Sequence, residues 1–368
     1  MEKSLSGDPG IPPKIKSIFP LLCSRYLTPA YIHTNGLPFK ACIIWGAGHR
    51  GALLKSYFEE LGVVVHAFID NDTRKQENFF AGIPVHGVTV LQERYPDMPV
   101  FVASRYYEAI LRQLIGIGHE RCFAMPVCSF YYDPMILKKN GPNIDQVFSW
   151  LSDDESRLNY AAIVKAYLTG DDGFLPISSY GQYLHPMVKP VKGDIVIDGG
   201  AYTGDTCRLF CGKCGCDYII AFEPSITQYN ILSETASKLD CKVTCINKGL
   251  WNKPDRLSFL TFKAGQGDHI SENGDISIDV TSIDRSVSEL SIPVVNVIKL
   301  DVEGAEMAAL QGAVHTIRQH KPKLQISIYH RINDLWEIPT QIKTILPDYR
   351  FLIGHHSIDP HETILYAY

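Results

Sequence analysis

Three stretches of the chain hold residue types that could do chemistry together. The first is Asp194-Ile-Val-Ile-Asp198-Gly199-Gly200-Ala201-Tyr202-Thr203-Gly204-Asp205-Thr206, an apolar run that ends on an acid and turns through glycines. Such a turn between strand and helix lets a ligand approach backbone N–H groups, and Thr203, Asp205 and Thr206 can cap the helix that follows. The second is Tyr218-Ile-Ile-Ala-Phe-Glu223-Pro224, which puts an acid 25 residues after Asp198, where a carboxylate can grip a ribose diol. The third, Val297-Ile-Lys-Leu-Asp301-Val-Glu303-Gly304-Ala-Glu306, ends an apolar run in clustered acids, and residues 324–330 deliver His330 to the end of the next run. Carboxylates beside an imidazole suit removal of a hydroxyl proton, with Asp301, Glu306 and His330 as the candidates. A divalent cation that lowers the hydroxyl pKa is the alternative use of the same set. Glu303 reads more simply as a first-turn acid complementing a helix dipole.

These residues need strands behind them. The apolar runs at 195–198, 218–222, 243–247, 297–300 and 324–329 read as buried parallel strands. Ligands of an open parallel sheet collect outside the carboxyl ends of its strands, so Asp198, Glu223, Trp251, Asp301 and His330 are expected to converge on one crevice. Leu250 and Trp251 follow the third strand and offer an apolar wall for an adenine ring, with core packing as the simpler role for Trp251. Residues 256–284 alternate like an antiparallel pair around a polar tip at 264–274, whose Asp268 and His269 either close over a ligand or form a plain surface hairpin.

Glycine spacing separates two ligand classes. Dinucleotide sites favour Gly-x-Gly-x-x-Gly directly after the strand, whereas S-adenosylmethionine sites favour an acid with glycines two and six positions on. Asp198, Gly200 and Gly204 follow the second pattern. With Phe222-Glu223-Pro224 and Lys299-x-Asp301-Val302-Glu303-Gly304-x-Glu306, the region from about 150 to 368 resembles the FkbM family of methyltransferases. The resemblance implies S-adenosyl-L-methionine as cofactor, held by Asp198, Gly199, Gly200, Ala201, Tyr202, Gly204, Asp205, Thr206, Glu223, Pro224, Leu250, Trp251 and Asp301. It also implies methylation of a hydroxyl, and a Gln182-Tyr183 pair near the cofactor mouth, for which packing is the other reading. Tyr202 departs from the family, which usually has Asn there. A position with φ > 0 would suit Asn better than Tyr.

The front of the chain carries its own glycine turn. Residues 41–45 form an apolar strand, and Gly46-Ala-Gly48-His49-Arg50-Gly51 opens a helix. Asp70 ends the next strand 24 residues after Gly46. This is a Gly-x-Gly-x-x-Gly fingerprint in its strand–turn–helix setting. With Ile69-Asp-Asn-Asp72 and Gly82-Ile-Pro-Val85, it resembles modules attached to bacterial sugar-modifying acyltransferases and methyltransferases. Gly46, Gly48, Gly51 and Asp70 form a second candidate nucleotide site; otherwise these glycines serve only helix–strand packing.

The expected architecture is therefore α/β, an N-terminal Rossmann-like domain followed by a class I, seven-stranded methyltransferase domain. Its parts are a lead-in at 1–35, a Rossmann-like domain at 36–128, a helical linker at 129–190 and the methyltransferase domain at 191–368. Within the linker, Ser152 with Glu155 reads as a capping box for a helix that stops before Gly170. The 368 residues carry a net charge of −5, which recruits neither nucleic acid nor an anionic membrane. No apolar run reaches the roughly 20 residues of a membrane span, and residues 1–16 lack the apolar core of a signal peptide. A cytoplasmic protein acting on a small-molecule or glycan substrate is expected; a homo-oligomer is compatible with the sequence. Cys211-Gly-Lys-Cys214, between Cys207 and Cys216, has zinc-knuckle spacing without a second ordered ligand pair, so helix packing is the favoured reading. The expected function is O-methylation of a sugar hydroxyl. The rivals are an NAD-dependent oxidoreductase using the first glycine turn and a non-catalytic nucleotide-sugar binding protein.

Overall fold

The structure, a computed structural model, describes residues 39–104, 106–125, 134–169, 172–261, 269–271 and 274–368. The lead-in at 1–35 and Asp268 in the polar tip lie outside the described residues. The chain divides into two compact units, Met1–Pro134 with Thr169–Gly173, and Met135–Leu168 with Phe174–Tyr368. No helix among the described residues is long and apolar enough to cross a membrane.

The first unit is built on six strands: β1 (Ala41–Trp45), β2 (Val64–Ile69), β3 (Phe79–Phe80), β4 (Ile83–His86), β5 (Val100–Val102) and β6 (Cys122–Ala124), in the order β3-β4-β2-β1-β5-β6. All pair in parallel except β3 with β4. Apolar residues fill both faces, as the unbroken run of β1 requires. Leu54 and Phe58 of the helix His49–Glu60 cover one face, and Ile110, Leu111 and Leu114 of the helix Tyr107–Gly116 cover the other. The chain leaves β1 for β2 on one side and returns to β5 on the other.

The second unit holds the seven-stranded sheet. Its strands are β7 (Ile195–Gly199), β8 (Tyr218–Phe222), β9 (Lys242–Ile246), β14 (Val297–Leu300), β15 (Lys323–Ser327), β16 (Phe351–His355) and β17 (Thr363–Ala367), ordered β16-β17-β15-β14-β7-β8-β9. Six run in one direction, and β17 inserts antiparallel between β15 and β16. Between β9 and β14 the chain forms a small sheet from β10 (Gly249–Leu250), β11 (Asp255–Leu260), β12 (His269–Ile270) and β13 (Ile276–Thr281). There β11 and β13 form the antiparallel pair that the alternation predicts.

The segment read as a helical linker is built into this second unit. In its helix Asp154–Thr169, the Tyr160 hydroxyl donates to the Leu335 carbonyl at 3.0 Å and the Asn159 amide to that of Ile353 at 3.0 Å. Tyr160 and Tyr167 are fully buried there. The helix also starts one step later than the capping box implied. Asp153 accepts the Ser156 N–H at 2.7 Å, while Glu155 turns outward to accept the backbone N–H of Ser179.

Candidate active site

The glycine turn after β7 is braced from below. Asp198 and Lys299 are paired in register across β7 and β14, and Lys299 Nζ lies 3.0 Å from Asp198 Oδ1. Both are buried, at 0% and 1% exposure, so neither charge faces solvent. Burial alone would lower the Lys299 pKa, but Asp198 and then Asp301 overcome it and raise it. The ammonium also donates to the carbonyls of Gly199 and Gly200 at 3.1 and 2.8 Å, tying the turn to the neighbouring strand. The other Asp198 oxygen accepts the Thr206 hydroxyl and lies 3.5 Å from Cys207 Sγ. Asp198 and Thr206 thus support the turn from inside.

The turn can run this close only with glycine at two positions. Gly200 has φ +71°, and a Cβ there would collide with the Asp301 carbonyl. Gly204 has φ +84° and is backed by Thr235 and Leu232. Gly199 packs against Leu250 and Leu300, Ala201 is fully buried, and Asp205 is an exposed acid in the first helical turn. Tyr202 adopts φ +47°, so this Tyr occupies the backbone region that suits Asn. Its N–H reaches Glu223 Oε2 at 3.0 Å, and Glu223 Oε1 accepts the Ser225 N–H at 2.9 Å. Glu223 is therefore a buried carboxylate fixed by backbone amides at the end of β8. The Asn247 amide ties down the carbonyls of Glu223 and Pro224 at 2.8 and 3.0 Å. Leu250 is buried against the turn, whereas Trp251 packs on the Phe259–Ile278–Val280 cluster of the small sheet. Trp251 is partly buried in that contact.

Beside the turn lies a dense acidic centre. Asp301, just past β14, accepts the Tyr183 hydroxyl on Oδ2 at 2.9 Å and the Tyr329 hydroxyl on Oδ1 at 3.1 Å. Burial works against its charge, but Lys299 and His330 keep its pKa below the ordinary value. His330 Nδ1 lies 3.0 Å from Glu306 Oε1, and its Nε2 lies 3.2 Å from Glu303 and 3.6 Å from Asp301. Burial opposes the imidazolium, yet Glu306, Glu303 and Asp301 raise its pKa well above 6.5. Asp334 and Glu362 complete the centre, each pushed up to about 7 by burial and then by a neighbouring carboxylate, Glu306 for the first and Asp301 for the second.

Strained backbone gathers at the same edge. Tyr183, Tyr202, Glu303 and Glu362 all have φ between +47° and +66°. Each such residue costs of the order of 1–3 kcal/mol and persists only where the surroundings over-determine it, commonly at functional sites. Gln182 donates to Glu362, and Tyr183 is buried with its hydroxyl on Asp301, so this pair supports the acidic centre. Tyr329, Asp334 and Glu362 were not singled out from the sequence, and Lys299 entered only within the family motif, without a role of its own. Lys299 could have been singled out, as a lone cation inside an apolar strand.

Elsewhere the candidates fare differently. Cys207 and Cys216 are buried, Cys211 accepts the Cys241 N–H at 3.1 Å, and burial pushes Cys216 up to about 12. Cys207 and Cys216 are packing thiols. Among the described residues, Asp301, Glu306 and His330 are the grouping with metal-ligand proximity. In the first unit, a cleft of about 320 Å³ opens between Gly46, Asp70, Asn71, Ser104 and Tyr106. Gly51 packs against the Gly46 carbonyl and Gly46 against that of Ala103, but a Cβ on Gly48 would meet nothing within 4 Å. Asp70 is engaged locally, accepting from Ala47 N–H at 3.0 Å, Asp72 N–H at 2.9 Å and Lys75 Nζ at 2.9 Å.

A seven-stranded sheet with one antiparallel strand, a glycine turn after its first strand and an acid after its second are the arrangement of the class I methyltransferase fold. Residues 198–353 match the methyltransferase FkbM domain. The fold resembles the crystal structure of methyltransferase FkbM from Methylobacillus flagellatus KT, with a TM-score of 0.73 at 21% identity over 98% of this chain and 94% of that one. The hexuronic acid methyltransferase AglP of Haloferax volcanii is 28% identical over 129 residues, 34% of this chain. That match spans about half, 53%, of the curated relative.

Proposed function

We propose that the chain is an S-adenosylmethionine-dependent O-methyltransferase acting on a sugar hydroxyl in a small molecule or glycan. The observation that carries this reading is the meeting of the braced glycine turn and the acidic centre at one sheet edge, through the contacts of Lys299 and Asp301. The donor set fits the cofactor: Glu223 is a fixed, buried acceptor for ribose hydroxyls, and the surplus of carboxylates over cations suits a sulfonium. Gly199, Gly200, Ala201, Tyr202 and Gly204 would present the turn to it, with Leu250 beneath and Asp205 and Pro224 at its margins. When bound, the cofactor supplies an electrophilic methyl carbon.

The chain's own residues position the acceptor and manage its proton. Holding a hydroxyl in line with a methyl carbon supplies much of the rate. Asp301, kept ionised by Lys299 and oriented by Tyr183 and Tyr329, is the group best prepared to accept that hydroxyl's hydrogen. His330 and Glu306 then hold the charge balance around it. A sugar acceptor is favoured by the partial likeness to a hexuronic acid methyltransferase. Incubating the full chain with methyl-labelled cofactor and a panel of uronic acids, neutral sugars and their nucleotide-linked forms tests the reading. Label is expected as an alkali-stable ether on a sugar oxygen; label on nitrogen or on protein would overturn the acceptor class.

A further inference from the structure

We infer that Asp301, Glu306 and His330 form a binding site for one divalent cation of the Mn2+ or Mg2+ class. The inference deepens the reading of this edge as a methyl-transfer site and rests on it for the cation's purpose, though not for its binding.

Three observations carry it. Each of the three residues offers one ligand atom, and these atoms lie within 4.8 Å of one another. Ligands on opposite sides of one ion, each about 2.1 Å from it, would be about 4.2 Å apart. The second observation is what these atoms fail to do. Glu306 is 1% exposed, yet its Oε2 has no hydrogen-bond partner. The His330 side chain is 10% exposed with carboxylates 3.0 and 3.2 Å away, yet neither ring nitrogen is aligned for a hydrogen bond to them. Groups gathered around a point but not aimed at one another are arranged as donors to a shared centre. The third is the charge count. Asp301, Glu303 and Glu306 lie within 3.6 Å of the one imidazole, while Lys299 is already matched by Asp198 and Arg331 stands beside Asp334.

The outer contacts favour fixed ligands. The Tyr183 and Tyr329 hydroxyls orient Asp301, and the Val302 N–H holds Glu306 Oε1 at 2.7 Å. Two carboxylates and one imidazole, with no thiolate, match a hard or borderline ion. Three protein ligands leave three positions of an octahedron for water or for neighbouring hydroxyls, so the acceptor class this site selects is a vicinal diol or a hydroxyl beside a carboxylate.

The test uses the full chain stripped with EDTA and titrated calorimetrically with Mn2+ in the absence of cofactor and acceptor. One Mn2+ per chain is expected, with a rise in melting temperature on its addition. Glu306→Gln and Asp301→Asn should each weaken binding by at least about tenfold. If a variant fails to fold, Mn2+ should still broaden the His330 ring resonances of the wild-type protein. Absence of binding and of the thermal shift, binding unchanged in both variants, or His330 resonances left sharp would each overturn the site. Titrating the stripped protein with S-adenosylmethionine separates the two readings. Cofactor binding without Mn2+ binding removes the cation alone, whereas Mn2+ binding without cofactor binding removes the methyl-transfer reading and leaves the cation site standing.

Discussion

The two glycine turns of this chain look alike on paper and are built differently. In the first unit, Gly46-x-Gly48-x-x-Gly51 is followed by an acid, Asp70, that accepts the Ala47 N–H of the turn and is otherwise engaged by Asp72 and the exposed Lys75 of its own loop. In the second unit, the turn at Gly199, Gly200 and Gly204 rests on the buried Asp198–Lys299 pair, and its partner acid Glu223 is held by amides at the strand end. Strained residues and five carboxylates gather beside the second turn. What distinguishes the turns is the support beneath them, which a spacing pattern does not record.

The largest effect should come from removing that support. Lys299→Met leaves Asp198 buried without its cation and strips two carbonyls of their donor, so the second unit should lose about 3–5 kcal/mol in denaturant unfolding. The counterpart in the first unit, Lys75→Met, breaks an ion pair whose lysine side chain is 43% exposed and should cost about 1 kcal/mol or less. Equal losses would erase the contrast.

Acid should separate the units next. His355 is fully buried, and burial, with help from His356, lowers its pKa to about 4. Because the folded protein keeps this imidazole neutral while the unfolded chain protonates it near 6.5, its contribution is complete above about pH 6.5. It is lost as pH falls from there through 4. That amounts to about 3 kcal/mol at the low end. His355→Gln should flatten this part of the stability–pH curve of the second unit; a curve of unchanged slope would contradict the assignment.

The sequence revealed the sheet and left much of its wiring hidden. Apolar runs that end on Glu223 and Asp301 are local signals, and they correctly located the strands and their carboxyl edge. Asp198 is equally conspicuous, but its role depends on cross-strand register, which pairs it with Lys299 about a hundred residues away. Tyr183 reaches Asp301 across 118 positions, and no local pattern announces such a contact. The raised pKa of His330 likewise follows from three carboxylates that meet only in the folded chain. The place of the helix Asp154–Thr169 in the second unit was not legible, because a helix shows its apolar face in sequence without showing what covers it.

A smaller effect separates the glycines. Gly200→Ala forces a Cβ against the Asp301 carbonyl at a positive φ and should cost about 1–3 kcal/mol in a thermal melt. Gly48→Ala, at φ −156° with open space around it, should stay within about 0.5 kcal/mol of wild type. A destabilised Gly48 variant would mean that the first turn is braced as tightly as the second.

The most direct measurement is calorimetric titration of the full chain with S-adenosylmethionine, run in parallel on Glu223→Ala and Asp70→Ala. Glu223→Ala removes charge-assisted bonds worth about 1.5–3 kcal/mol, so its affinity should fall by about one to two orders of magnitude, while Asp70→Ala should bind as wild type does. Unchanged affinity in Glu223→Ala, or a loss confined to Asp70→Ala, would place the cofactor somewhere other than the second turn and contradict the account.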